Sequence, residues 1–318
     1  MPHFLKRPLV PLGLAVAGIT VAGSCAPSAP QLPGAAPIEA PAPARLRVQV
    51  AGRIIAVSLE QYVLGAALSE VTPTGESDRA AATIYEVQAI IARTYAAAHL
   101  GRHASDGFDL CDGAHCQLYE PGRIRTSRFA AVARRAVVAT SGRILRHNGR
   151  AAETVFHSDC GGHTSTPAEA WAGSTLPYLP ARLDDLPQGT HRSWQFAATN
   201  QEWIDILRRD PRTNPSGALK SLSVTKVDGS GRAVEVEIAG TQIRRVPGSM
   251  LRAVVTATRG DRSLMSTRFT VNRTAAGYRL EGSGFGHGVG LCQVGAIARA
   301  RRGDPVAAIL DHYYPSAK

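Results

Sequence analysis

Five glycines and a histidine fall between Gly284 and Gly295 in the run Gly284-Phe285-Gly286-His287-Gly288-Val289-Gly290-Leu291-Cys292-Gln293-Val294-Gly295-Ala296. Each glycine loses more backbone freedom on folding than any other residue, so such a cluster implies positive φ angles or close approach to something. A helix opening there leaves backbone N–H groups free to meet an anionic or polar ligand. A second candidate is Glu70, at the end of the largely apolar run 59–69. Apolar surroundings there would raise its pKa enough to keep a proton near neutrality. A third is Asp109-Leu110-Cys111-Asp112-Gly113-Ala114-His115-Cys116, with His103 just upstream. Two thiols and two imidazoles so close together suit tetrahedral Zn²⁺. Disulfides are the alternative, since four cysteines (Cys111, Cys116, Cys160, Cys292) follow Cys25.

The elements that must position these groups predict an α+β fold. Residues 46–57 alternate apolar and polar with β-branched positions, a strand or hairpin. A helix over 59–69 can be capped by Ser58, and a second over 83–99 carries Arg93 and Tyr95. The Thr/Pro/Gly-rich stretch 71–82 reads as the loop between them. A third helix is expected over 129–140. Strands 144–147 and 151–157 then flank Asn148-Gly149, the residue pair a type I′ hairpin turn needs, and deliver His157 and Ser158. Strands are expected near 219–227, 232–238, 252–257 and 268–280, and helices over 292–302 and 305–313. This order predicts a helical front and a C-terminal return packed together, with β-hairpins and a β-rich inserted lobe at about 190–282.

The 318 residues are 44% hydrophobic and 19% charged, an ordinary globular balance, with a net charge of +11 that suits an anionic polymer. No basic run interleaved with aromatics marks nucleic-acid binding, so nucleic acid is not an expected partner. Lys6 and Arg7 precede the apolar run 9–22, which is too short and too Gly/Pro-broken for a membrane span. It ends in Val21-Ala22-Gly23-Ser24-Cys25, a pattern that resembles a bacterial lipoprotein signal with Cys25 acylated. Ordinary signal-peptide cleavage nearby is the alternative. The expected organisation is a signal peptide over 1–24, an Ala/Pro-rich extended tether over 25–45 and a folded domain over 46–318. The mature chain is expected in the cell envelope, periplasmic or at the cell surface, held to the membrane by its lipid.

Four segments taken in order resemble the stage II sporulation protein D family. They are Tyr62-Val63-Leu64-Gly65 leading to Ser69-Glu70; Gln88-Ala89-Ile90-Ile91-Ala92-Arg93-Thr94-Tyr95-Ala96; Phe156-His157-Ser158-Asp159-Cys160-Gly161-Gly162-His163-Thr164 with Trp171 after it; and the glycine-rich run, followed by His312-Tyr313-Tyr314-Pro315. The resemblance covers about 46–315. It implies a sporulation protein D-like domain directed at peptidoglycan, in some members a lytic transglycosylase and in others an enhancer of amidase autolysins.

A lytic transglycosylase cleaves the β-1,4 bond between N-acetylmuramic acid and N-acetylglucosamine, here in peptide-free glycan strands, and leaves a 1,6-anhydro sugar. The muramyl C6 hydroxyl is the nucleophile, so one carboxyl can protonate the leaving oxygen and then accept the hydroxyl proton. The resemblance assigns that role to Glu70. It further implies that Arg93, with Tyr95 beside it, could grip a lactyl carboxylate. His157, Ser158, His287 and Gln293 would then hydrogen-bond the sugar. Some members carry zinc near the third candidate group, implying a structural site at His103, Cys111, His115 and Cys116 and no cofactor in catalysis. Cys160 and Cys292 fall in segments the resemblance makes neighbours, so they could bridge instead. Members commonly show Met-Pro after the glutamate and Trp-Pro before the second helix. Here Val71-Thr72-Pro73 follows and the loop is longer, which keeps open a non-catalytic enhancer partnered with a cell-wall amidase. A metallopeptidase is not expected, for want of a His-Glu-x-x-His pattern.

Overall fold

The computed structural model describes residues 45–318 except 114, 172, 187, 188 and 190. The expected signal segment, Cys25 and tether residues 26–44 lie outside the described residues. β1 (Arg45–Val50) and β2 (Arg53–Ser58) form an antiparallel hairpin turned at Ala51 and Gly52, both at positive φ. Ser58 ends β2 and caps α1 (Leu59–Glu70), its hydroxyl accepting from the Gln61 N–H at 3.2 Å. Ser77 caps α2 (Asp78–Ala98) in the same way through Ala80. With that cap, α2 begins five residues before the expected start at 83.

Both helices are apolar nearly all round, the pattern of helices inside a core rather than on its surface. α1 buries every residue from Tyr62 to Leu68, and α2 every residue from Val87 to Ala96. Helix Ala130–Ala139 and the two C-terminal helices, Gln293–Arg302 and Val306–Tyr313, all pack on α2. The front and the return therefore share one core, in which Leu68, Ile91, Leu291 and Tyr314 meet. β3 (Leu110–Cys111) joins the first hairpin parallel to β1 and fixes the start of the cysteine segment.

Residues from Trp194 to Leu280 close a second core around Trp203, Val236, Leu251 and Leu280. Two three-stranded antiparallel sheets enclose it. One holds Trp194–Thr199, Gly277–Gly282 and Phe269–Arg273; the other holds Ser221–Val227, Ala233–Ala239 and Ile243–Pro247. Two expectations need correction. Residues 252–257, expected as a strand, lie inside helix Gly248–Arg259, whose buried Leu251, Val254 and Val255 sit at helical spacing. The Asn148-Gly149 turn adopts the expected positive φ angles, but only Arg146–His147 and Arg150–Ala151 pair across it. Thr154 is drawn away, its hydroxyl donating to the Ile91 carbonyl at 2.8 Å. Phe156–His157 then pairs parallel with Leu291–Cys292, so the glycine-rich run rather than the hairpin holds His157. Among the described residues, no helix is long and apolar enough to cross a membrane.

Candidate active site

Glu70 is the last residue of α1, where its carboxyl meets the segment that follows Cys116. The Leu118 N–H donates to Glu70 Oε1 at 2.6 Å, and the Glu120 N–H donates to Ser69 Oγ at 2.9 Å. Tyr62 Oη donates to Gln117 Oε1 at 3.2 Å from about two turns of α1 further back. Gly65 makes this docking possible, because a Cβ there would lie 2.4 Å from a ring carbon of Tyr119. Burial raises the Glu70 pKa to about 7, against the opposing pull of the Leu118 N–H. The negative end of the α1 dipole adds to the rise. Near neutrality this carboxyl is therefore divided between its protonated and ionised forms, as a group that must both give and take a proton requires.

The glycine-rich run reaches Glu70 through Gln293, whose amide Nε2 donates to the Glu70 carbonyl at 3.2 Å. Gln293 follows Cys292, which is paired with His157, and the Ser158 carbonyl accepts from the Val294 N–H at 3.0 Å. Glu70, Gln293 and the His157-Ser158 strand are thus in one neighbourhood, and Glu70, Ser158 and Gln293 are all partly exposed. Gly286 sits at φ 109°, where a Cβ would press within 2.7 Å of His157 Cβ. That contact is one reason the run needs glycine.

The two histidines are placed differently from expectation. His287 donates through Nε2 to the Phe156 carbonyl at 2.8 Å, while its Nδ1 accepts from the Val289 N–H at 3.1 Å. Both ring nitrogens are spent on backbone, so His287 braces the turn instead of bonding sugar. Burial pushes its pKa down to about 3, so it stays neutral. Trp171 lies against it with ring centroids 4.9 Å apart. His157 is 4% exposed and turned inward, Nδ1 donating to the Val289 carbonyl at 3.1 Å.

Arg93 and Tyr95 are not brought to Glu70's exposed side. Arg93 is fully buried and its donors are saturated. Nε and Nη2 fork onto Glu60 at 2.8 and 2.6 Å, Nη1 reaches the Ala89 and Arg143 carbonyls, and Nη2 also reaches the Val137 carbonyl. A lactyl carboxylate would have to displace Glu60 and open the core. Tyr95 is 5% exposed, stacked on His99 at 4.0 Å. Both residues hold the scaffold.

Among the expected metal ligands, the donor atoms of His103, Cys111 and Cys116 all lie within 4.8 Å of one another. Cys116 Sγ is 3.4 Å from His103 Nε2. Adjacent corners of a zinc tetrahedron with S at about 2.3 Å and N at about 2.0 Å are separated by about 3.5 Å, so the trio fits the ion. A hydrogen bond from Cys116 lowers the Cys111 pKa to about 5. The resulting thiolate is the form a metal takes. His115 is exposed and outside this trio, its ring 5.1 Å from that of His103 and its Nε2 accepting from Arg102 Nε at 3.3 Å. Only Gln117 separates Cys116 from Leu118, so whatever fixes the trio also fixes the N–H that holds Glu70. All four described cysteines are free thiols.

Residues 49–147 match the model of the stage II sporulation protein family, and residues 187–290 match a domain of unknown function, DUF8618. Stage II sporulation protein D of Bacillus subtilis (strain 168) is 26% identical over 270 residues, covering 81% of this chain and 73% of that protein. The segment 49–147 is thus similar to the stage II sporulation protein family, and the similarity to stage II sporulation protein D extends over most of the chain. The amidase enhancer of the same bacterium is 27% identical over 228 residues, and an uncharacterized protein of Brachyspira hyodysenteriae is 28% identical over 261. The matched regions span 31% and 65% of those two proteins.

In this sporulation protein D-like chain, the groups that hold Glu70 include one that residue type could not reveal. Leu118 acts through its backbone N–H, which has no signature in the sequence. Gln117 and Tyr119 act by packing against α1, and the small run Gly65-Ala66-Ala67 within that helix was the available signal.

Proposed function

We propose that this chain is a lytic transglycosylase that cleaves the muramyl β-1,4 bond of peptide-free glycan strands, with Glu70 as sole acid and base. The observation that supports this reading is a single carboxyl with a pKa of about 7, fixed by Leu118 and adjoining Gln293. A protonated Glu70 would give its proton to the leaving oxygen. The resulting carboxylate would take the proton of the C6 hydroxyl as it closes on the anomeric carbon, which restores Glu70 without activating water. Ser158 and Gln293, partly exposed on the same neighbourhood, would orient the sugar. The net charge of +11 suits strands that keep their lactyl carboxylates.

Zn²⁺ held by His103, Cys111 and Cys116, with His115 at hand for a fourth position, would serve as a structural cross-link behind the Leu118 loop. An envelope location with a lipid on Cys25 and a cell-wall amidase as partner complete the proposal. The amidase reading draws on the similarity to the amidase enhancer.

Two measurements test it. Incubation with peptide-free glycan strands should release fragments with 1,6-anhydro ends by mass spectrometry. Intact strands that still sediment with the protein would instead favour a non-catalytic enhancer. The rate should also follow the protonated fraction of Glu70, halving near pH 7 and falling about tenfold per pH unit above it. A rate that stays flat to pH 9 would remove Glu70 as the acid.

A further inference from the structure

A second cluster lies behind the glycine-rich turn and plays no part in the chemistry above. A ring nitrogen of His157, Cys160 Sγ and Cys292 Sγ all lie within 4.8 Å of one another, and all three residues are buried, at 4%, 0% and 0% exposure. Because His157 Nδ1 donates to the Val289 carbonyl, Nε2 carries the lone pair. That nitrogen has no hydrogen-bond partner among the described residues. An unsatisfied buried acceptor is costly, and here two sulfurs lie close to the same imidazole ring.

Backbone N–H groups point at both sulfurs, although burial pushes the Cys292 thiol up. Cys292 Sγ accepts from the Cys160 N–H at 3.2 Å and the Gly295 N–H at 3.3 Å, and Cys160 Sγ accepts from the Gly162 N–H at 3.3 Å. Arg232, 2% exposed, comes in from the β-rich region and donates through Nη2 to the Cys160 carbonyl at 2.7 Å. Backbone donors aimed at sulfur, together with an imidazole fixed through its other nitrogen, are the outer support that metal–thiolate sites use. Asp184 Oδ2 is 3.7 Å from Cys160 Sγ but already accepts from Tyr313 Oη at 2.6 Å, with Arg299 on its other oxygen. It is therefore not counted as a ligand.

We propose that His157, Cys160 and Cys292 form a buried binding site for a divalent thiophilic cation, with Zn²⁺ as the ion to test. Binding replaces the two thiol protons, which leave to water, so M²⁺ and two thiolates add no net charge to the interior. It also gives Nε2 the partner it lacks. A Cys160–Cys292 disulfide would use the two sulfurs but leave Nε2 orphaned, and for that reason the metal accounts for more of the site. Its place explains its use. Cys292 immediately precedes Gln293, and Cys160 follows Ser158 by two residues, so the ion would staple together the two strands that reach Glu70.

The test compares the full chain with its Cys160→Ser/Cys292→Ser variant. Both are stripped by chelation under reducing conditions, reloaded with Zn²⁺ and analysed for bound metal. The same pair loaded with Co²⁺ reports thiolate coordination through charge-transfer absorption. The wild type should bind one more equivalent of Zn²⁺ per chain than the variant, independently of the His103 site, and the variant should lose part of the Co²⁺–thiolate band. Equal metal content in the two proteins overturns the proposal. So does recovery of the native chain with Cys160 and Cys292 joined as a disulfide. Should the double variant fail to fold, alkylation of the wild type decides: Zn²⁺ must protect Cys160 and Cys292, and labelling unaffected by Zn²⁺ overturns the site. Both readouts are independent of glycan cleavage.

Discussion

Glu70→Gln should lower the release of anhydro-ended fragments by about 10²–10⁴-fold, the range that a positioned general acid contributes. Sedimentation with glycan should persist. Glutamine has the volume of glutamate and keeps an oxygen for the Leu118 N–H, so the loop that follows Cys116 should stay docked. The substitution also carries an opposite expectation for stability. The Glu70 pKa is raised to about 7 in the folded chain, whereas an unfolded glutamate titrates near 4.3. Between those values the folded state binds more protons than the unfolded one. Wild-type stability should therefore fall as pH rises through that window and remain lower above it.

The glutamine variant escapes that loss. At pH 8 it should unfold at higher denaturant than wild type, by on the order of 2 kcal/mol once partial exposure is allowed for. At pH 4 the two should coincide. Lower activity with higher stability at pH 8 marks a carboxyl kept in place for chemistry. If the two proteins melt alike at pH 8, the carboxyl ionises as it would in water and the acid–base reading fails with it.

What could be read from the sequence divides along a physical line. Glu70 at the end of an apolar helix follows from periodicity and capping, and the shared core of front and return from the order of the elements. The glycine-rich run beside Glu70 is what the family resemblance implies. Side-chain type does not disclose where a hydrogen bond ends. Arg93 was expected at the substrate because guanidinium suits carboxylates. Its helical neighbours Ala89, Ile90, Ala92, Ala96 and Ala97 leave no polar face, and that was the signal of burial. His287 looked available because glycines surround it, yet those same glycines let the Phe156 carbonyl and Val289 N–H reach both ring nitrogens. Residues 252–257 were expected as a strand because Val254, Val255 and Thr256 are β-branched. Leu251 packing with Val254 and Val255 into the second core outweighs that local preference.

Arg93→Ala should destabilise the domain by about 3–5 kcal/mol, the cost of breaking a buried ion pair from one side. Arg93 serves Glu60 and three backbone carbonyls, from Ala89, Val137 and Arg143, which belong to α2, helix Ala130–Ala139 and the residues after it. The Ala89 and Val137 carbonyls sit in the buried core and each lose a donor, Val137 keeping only Thr140 Oγ1 among the described side chains. Lysine is no substitute, because one ammonium cannot fork onto Glu60 and reach three carbonyls spread around a plane.

Glu60→Ala should be comparably severe although the Glu60 side chain is 40% exposed, since it leaves a guanidinium charged and unpaired in the interior. The double variant should cost less than the sum of the two, and the difference is the coupling of the pair. Urea unfolding of the four proteins measures it. A substrate-holding Arg93 makes the contrary prediction. Its loss would weaken glycan sedimentation at unchanged stability, and Glu60→Ala, which removes a competing anion, would strengthen it. Additive single-variant costs, or a stable Arg93→Ala protein that no longer binds glycan, would return Arg93 to the binding site.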